Sequence, residues 1–316
     1  MKRKILASLI VLVIAFIVYY ISFVQHQFKK TISIQLPIIA VTEQFNSPSN
    51  LKKWFMPFLS ASTNSTDTLI ETNKVLTLGS YRLEVINKSI YSCVLNFSDA
   101  KKTKSFWVSA LPDTAKEGAT TIDFYYKNSY LKELFFPGDL EKKAKQSFAD
   151  FQEYLQDTKR VYGYEIVPVK VVDTLFLFKR ETVPLGDKQK GIKLIFDNLI
   201  AYANQHNLGY NGNRIFYSQK EEDNITLFAS IGISKELIIP ENESFEIKRM
   251  PFEKNLLEAT YQGPYGQVNK AFDALKKYLS DRNLSSIAIP YQKFISDGYD
   301  FSDEQIVQMK IYSPIF

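Results

Sequence analysis

The sequence predicts an α+β chain in three parts: an N-terminal transmembrane helix within residues 1–30, a strand-rich unit closed by a long helix at 31–157, and a duplicated strand-helix-strand-strand unit at 163–316. Three observations carry this reading. Residues 5–24 hold no formal charge, and residues 67–124 alternate apolar and polar positions in short runs between Gly, Asn and Asp punctuators. Two helical apolar stripes, within 189–206 and 267–282, each stand between runs of strand-forming residues.

The uncharged stretch comes first in the chain. As a helix at about 1.5 Å per residue, residues 5–24 would span about 30 Å, one hydrocarbon core. A cleaved signal peptide fits less well, because the run exceeds the usual apolar region of about 7–15 residues and the following SFVQHQFKK lacks a small-residue cleavage pattern. An uncleaved signal anchor is expected, with the lipid bilayer as a partner through residues 5–24. Lys2, Arg3 and Lys4 favour a cytoplasmic N-terminus, which places the remainder on the extracytoplasmic side of a bacterial inner membrane as a single-pass protein.

Those three charges, with Lys29 and Lys30, equal the whole net charge of +5. The remainder is near neutral and offers no basic excess to follow a phosphate backbone, so no nucleic-acid partner is expected. A single cysteine, Cys93, excludes an internal disulfide and a thiolate metal cluster, and His26 and His206 are too few and too far apart for a zinc site. Neither a metal nor a cofactor is expected. The 24 Phe and 19 Tyr suit deep cores and pockets that combine apolar walls with a polar handle.

Residues 31–40, TISIQLPIIA, read as an opening strand. In the next segment, NSPSNLKKWFMPFL, Ser47 caps a short helix with Pro48 at its first position. Trp54, Phe55, Met56 and Phe58 then form an apolar patch that packs, with a cavity lined by Trp54 as the functional alternative. The strand run at 67–124 follows, then helical spacing at 130–155, where Leu140, Ala144, Phe148, Phe151 and Leu155 form one stripe able to close a sheet. This order, with NLKKWFMPF after the first strand and a final helix at 142–155, resembles the START-related, polyketide-cyclase-like helix-grip superfamily over about residues 32–157. The resemblance implies an apolar cavity between helix and sheet, and it brings no catalytic signature.

Beyond the expected boundary at 157–163, the first repeat runs through a strand at 172–178, a helix at 189–206 and strands at 214–218 and 225–233. The second runs through 256–262, 267–282, 290–296 and 308–312. Each unit leaves an apolar sheet face that its copy can extend or cover, so duplication yields one domain. The stretch YQGPYGQVNKAFDALKKYLSDRNL, residues 261–284, and the closing IYSP, residues 311–314, resemble the gyrase-inhibitor-like family, the effector-binding domain of bacterial transcription activators. The resemblance covers about residues 163–316. It implies a central groove for small, often hydrophobic or cationic molecules, and relatives place a carboxylate on the last strand to meet a cation. Lys310 stands at or next to that place, which argues against a cationic ligand.

Candidate ligand-binding residues are Tyr217, Tyr261, Tyr265, Tyr291, Lys310 and Tyr312, with Trp54 and Glu258 as further candidates. Alternation places Tyr312 on one face with Lys310, and puts Glu258 opposite Tyr261, with a solvated outer face expected for Glu258. No GxSxG, HExxH or GxGxxG pattern is present, and no catalytic residue is named. The function expected is a membrane-anchored protein that binds or senses a small, hydrophobic molecule. The alternatives are a protein-interaction or envelope-stress module using the same groove and, third, a small-molecule hydrolase.

Overall fold

A computed structural model of the chain describes residues 2–59, 68–286, 288–295, 298 and 301–315, with side chains from residue 9 onward. The chain is α+β with two antiparallel sheets and divides into two compact units, Met1–Asp157 and Thr158–Phe316. The side chains of Lys2, Arg3 and Lys4, which set the expected orientation, and Asp67 and Ser296 at the ends of two expected strands, lie outside the described residues.

The first helix corrects the N-terminal expectation. Helix α1 is Lys2–Phe23, and among the described residues no helix is long and apolar enough to cross a membrane. The transmembrane anchor, the bilayer partner through residues 5–24 and the single-pass inner-membrane location are therefore withdrawn. So is the membrane-anchored sensor built on them.

In the first unit, β1 (His26–Ile34) leads to α2 (Ile38–Asn46) and α3 (Pro48–Leu51). The expected opening strand ends early because Pro37 lacks an amide hydrogen for the ladder and stands at the N-cap of α2. Ser47 caps α3, its hydroxyl accepting from the Asn50 amide at 3.4 Å. Six strands follow: β2 (Ile70–Glu71), β3 (Val75–Leu78), β4 (Tyr81–Ser89), β5 (Ser92–Ser98), β6 (Thr103–Pro112) and β7 (Thr120–Asn128). They form a meander, and β1 joins its edge at β7, in the order β1-β7-β6-β5-β4-β3-β2. After α4 (Tyr130–Leu134), α5 (Asp139–Gln156) lays its apolar stripe on the sheet, with Phe148 stacked 4.2 Å from Phe124.

The second unit begins with α6 (Thr158–Tyr162) and β8 (Ile166–Lys170). It continues through β9 (Leu175–Pro184), α7 (Lys188–Gln205), β10 (Tyr210–Glu221), β11 (Asn224–Ile233) and β12 (Phe245–Arg249). The chain closes with β13 (Asn255–Pro264), α8 (Asn269–Asp281), β14 (Tyr291–Phe294) and β15 (Ile306–Pro314). The eight-stranded sheet has the order β12-β9-β11-β10-β14-β15-β13-β8. Its middle six strands are two strand-helix-strand-strand units in mirrored order, β9-β11-β10 and β14-β15-β13. They are joined where Ile215 and Phe216 pair with Lys293 and Gln292.

Alternation sorts the side chains of this sheet into two environments. Leu257, Ala259 and Tyr261 on β13, with Val307, Met309 and Ile311 on β15, enter the large core under the two helices. Ile192, Ile195, Phe196, Leu199 and Ala203 of α7 and Ala271, Leu275 and Leu279 of α8 complete that core. The intervening residues Leu256, Glu258 and Tyr312 point to the opposite face, where a small cluster of Val171, Leu256 and Tyr312 gathers against Val169, Met250 and Tyr291.

Candidate functional site

The face away from the helices carries a polar cluster built by strand register. Glu258 on β13 pairs with Tyr312 on β15, which pairs with Tyr291 on β14, so three side chains on adjacent strands stand in one row. One turn of the pleat away, Lys310 pairs with Lys293. Two ammonium groups directly across a ladder repel, and each is drawn to a different carboxylate. Lys310 Nζ lies 2.7 Å from Glu258 Oε1, and Lys293 Nζ lies 3.2 Å from Asp173 Oδ2.

Glu258 is buried, contrary to the solvated position expected for it, because both of its oxygens have partners. Tyr312 donates its phenolic hydrogen to Glu258 Oε2 at 2.6 Å while Lys310 holds the other oxygen. A carboxylate taken out of water needs such satisfaction. Burial, then the hydrogen bond to Glu258 and its negative charge, push the Tyr312 phenol well above its ordinary pKa. Burial, reinforced by Asp173 and Glu258, does the same for Tyr291. The two rings stack with centroids 5.2 Å apart, so both remain neutral and present aromatic surface beside a hydroxyl.

The cluster lines a cavity of about 240 Å³ together with Asp173, Phe176 and Ile215. A second, mostly apolar cavity of about 420 Å³ adjoins it, sharing Val171, Met250, Leu256 and Tyr291 as walls and continuing to Pro251 and Ile289. The composite groove thus has one end with fixed charges and hydroxyls and another walled mostly by apolar side chains, a combination suited to a small amphiphilic molecule. General-base chemistry is poorly served, since the oxygens of Glu258 are engaged by Tyr312 and Lys310 rather than presented to a water.

Of the residues singled out in the sequence, Glu258, Tyr291, Lys310 and Tyr312 are brought together. Tyr261 lies on the helix-covered face, 2% exposed, and donates to the Pro264 carbonyl at 2.5 Å. The chain needs Gly263 there, because a Cβ would stand 2.9 Å from the Tyr261 hydroxyl. Tyr265 is buried on the same face and accepts from Gln292 Nε2 at 3.2 Å, and Tyr217 packs beside Phe228 and lines a separate cavity with Tyr265. Trp54 belongs to the core of the first unit, its ring 4.2 Å from Phe151 and its indole hydrogen given to the Gln44 carbonyl at 2.9 Å.

Sequence reasoning missed Lys293, Asp173 and Met250. Lys293 was within reach, since it shares a face with Tyr291 two residues earlier. Asp173 sits in the segment between β8 and β9, where no periodic pattern assigns a face. Among the described residues, no group of three or more His, Cys, Asp or Glu side chains is placed to hold a metal ion.

No family model and no curated protein matches the chain. Among solved structures it is similar to the EcmrR C-terminal domain, at 18% identity and a TM-score of 0.39, covering 48% of this chain and 98% of that one. It is also similar to EcmrR in a DNA complex, at 20% identity and a TM-score of 0.41, covering 53% of this chain and 64% of that one. A third likeness is to SAV2435 bound to tetraphenylphosphonium, at 10% identity and a TM-score of 0.30, covering 48% and 94%. These likenesses are distant and partial. A net charge of +5 does not by itself exclude a nucleic-acid partner, and the exclusion drawn from composition is withdrawn.

Proposed function

We propose that residues 158–316 form an effector-binding regulatory module of the gyrase-inhibitor-like type, and that residues 32–157 form a START-related unit. The observation that carries the reading is the Tyr312–Glu258–Lys310 cluster at the polar end of a groove whose other end is apolar. Lys310 already occupies the carboxylate that a cationic ligand would require. The groove therefore takes an uncharged or zwitterionic amphiphile, its apolar part against Met250, Leu256 and Ile289 and its polar part at Tyr312 and Lys293.

The rim supports a second element of this reading, contact with a macromolecule. Val172, Phe252 and Ile289 are 74%, 63% and 56% exposed. Val172 and Ile289 line the two cavities, and Phe252 follows Pro251, another lining residue. An occupant that changes the pose of these side chains would alter a surface of the kind that proteins recognise.

Native mass spectrometry of the full chain, followed by organic extraction and a screen of neutral and zwitterionic amphiphiles, tests the proposal. Retention or rebinding of such a molecule, weakened by Tyr312→Phe and by Ile289→Asp, is expected. Binding that survives both substitutions would place the ligand elsewhere, and no binding across the screen would remove the effector role.

A further inference from the structure

The helix-covered side of the same sheet holds a cavity that the groove does not use. It measures about 300 Å³ and is lined by Phe216, Tyr265, Phe272 and Pro290, with Lys188, Ser218, Asn269 and Gln292 supplying its polar atoms. Lys188 is the first residue of α7 and is half-buried. Its ammonium stands 5.6 Å from the centre of the Tyr265 ring.

Two groups in this cavity are incompletely matched. Lys188 makes no ion pair among the described residues. Asp303, the carboxylate that acts on it through space, is exposed and receives a hydrogen bond from Gln189 Nε2 at 3.5 Å. Burial holds the Lys188 pKa below its ordinary value, with Asp303 opposing that shift only in part. Tyr265, in turn, accepts a hydrogen bond from Gln292 through its oxygen, and its own hydroxyl hydrogen has no acceptor among the described residues. Burial raises its pKa to about 12, so the hydrogen stays in place at neutral pH.

We infer that this cavity is a second ligand site, for a small aromatic monocarboxylate. The ring would lie among Phe216, Phe272 and Pro290, and the carboxylate would take the Lys188 ammonium and the Tyr265 hydroxyl, two donors that converge on one space. The cavity's one charged group is the Lys188 ammonium and its walls include aromatic rings, which favours an aromatic anion over a cation. The site is independent of the groove: Gln292 and Phe216 point to the helix side, whereas their neighbours Tyr291 and Ile215 line the groove.

Calorimetric titration of the full chain with benzoate, and with benzamide as its uncharged counterpart, tests the inference. Benzoate is expected to bind and benzamide to bind much more weakly. Lys188→Met should cost about tenfold to a hundredfold in benzoate affinity, the loss of one charge-assisted contact. Lys188→Arg should retain most of it, Tyr265→Phe should lower it several-fold, and Lys310→Ala in the groove should leave it unchanged. Thermal melts of each variant establish that the fold is intact. Equal binding of the two probes, binding indifferent to Lys188→Met in a folded variant, or absence of benzoate binding would overturn the site.

Discussion

Replacing Glu258 by Gln tests the physical reading of the groove most directly. The side chain keeps its shape and loses its charge, so the packing around Leu256 and Tyr312 is preserved while two interactions change. The Tyr312 bond, 2.6 Å and buried, is a hydrogen bond to a charged acceptor, worth about 1.5–3 kcal/mol. Lys310 is 38% exposed at its side chain, so solvent screens its pair with Glu258 and the loss there is about 0.5–1 kcal/mol. Together these predict a destabilisation of about 2–3 kcal/mol, with part of the Tyr312 bond surviving to the amide oxygen. For a unit of this size, each kcal/mol lowers Tm by about 2–4 °C, giving a drop of about 4–12 °C. Calorimetry or far-ultraviolet circular dichroism reads this change. Trp54 and Trp107, the two tryptophans of the chain, both lie in the first unit, so their fluorescence reports that unit separately. A double-mutant cycle with Tyr312→Phe should give a coupling energy above about 1 kcal/mol. Additivity within about 0.5 kcal/mol would refute the assignment of the hydrogen bond.

Lys310→Ala leaves Glu258 with Tyr312 alone, and the groove should then gain affinity for a lipophilic quaternary cation, by about tenfold over the parent chain in a fluorescence titration. Alkaline pH should destabilise the second unit. The folded-state pKa values of Tyr265, Tyr291 and Tyr312 are raised above the ordinary 10.0, so their contribution is complete below pH 10 and is lost as pH climbs from 10 toward about 12 for Tyr265; denaturant melts at pH 8 and pH 11 show the fall. Cys93, 1% exposed and with its thiol pushed up to about 12 by burial, should stay inert to thiol reagents until denaturant unfolds the first unit. Gly191→Val should cost about 1–3 kcal/mol in chemical denaturation, because a Cβ at that point of α7 would stand 2.8 Å from Leu227 Cδ1 and 3.1 Å from Val183 Cγ2.

The patterns that could be read in advance are those governed by neighbours in sequence. The period-two runs between residues 81 and 128 appear as β4 to β7, the 3.6-residue stripes as the buried faces of α5, α7 and α8, and the Ser47-Pro48 pair as the start of α3. Alternation also put Tyr312 on one face with Lys310 before any register was known. The limits of local reading are equally physical. Hydropathy placed a membrane span at residues 5–24 from composition alone, and among the described residues no helix meets that length and apolarity. Strand propensity carried residues 31–40 past Pro37, where the missing amide turns the chain toward α2.

What the sequence alone determined, then, is which side chains share a face of each helix or strand, because that depends on backbone periods of 3.6 and 2. Which faces meet was decided only in the folded sheet. Glu258 is satisfied by residues 52 and 54 positions away, Lys293 turns to Asp173 because Lys310 lies across the ladder from it, and Tyr261 and Tyr265 are sent under the helices while Tyr291 and Tyr312 are left in the groove. Such pairings depend on strand order and register across the β13-β15-β14 ladder. No window of local sequence contains that information.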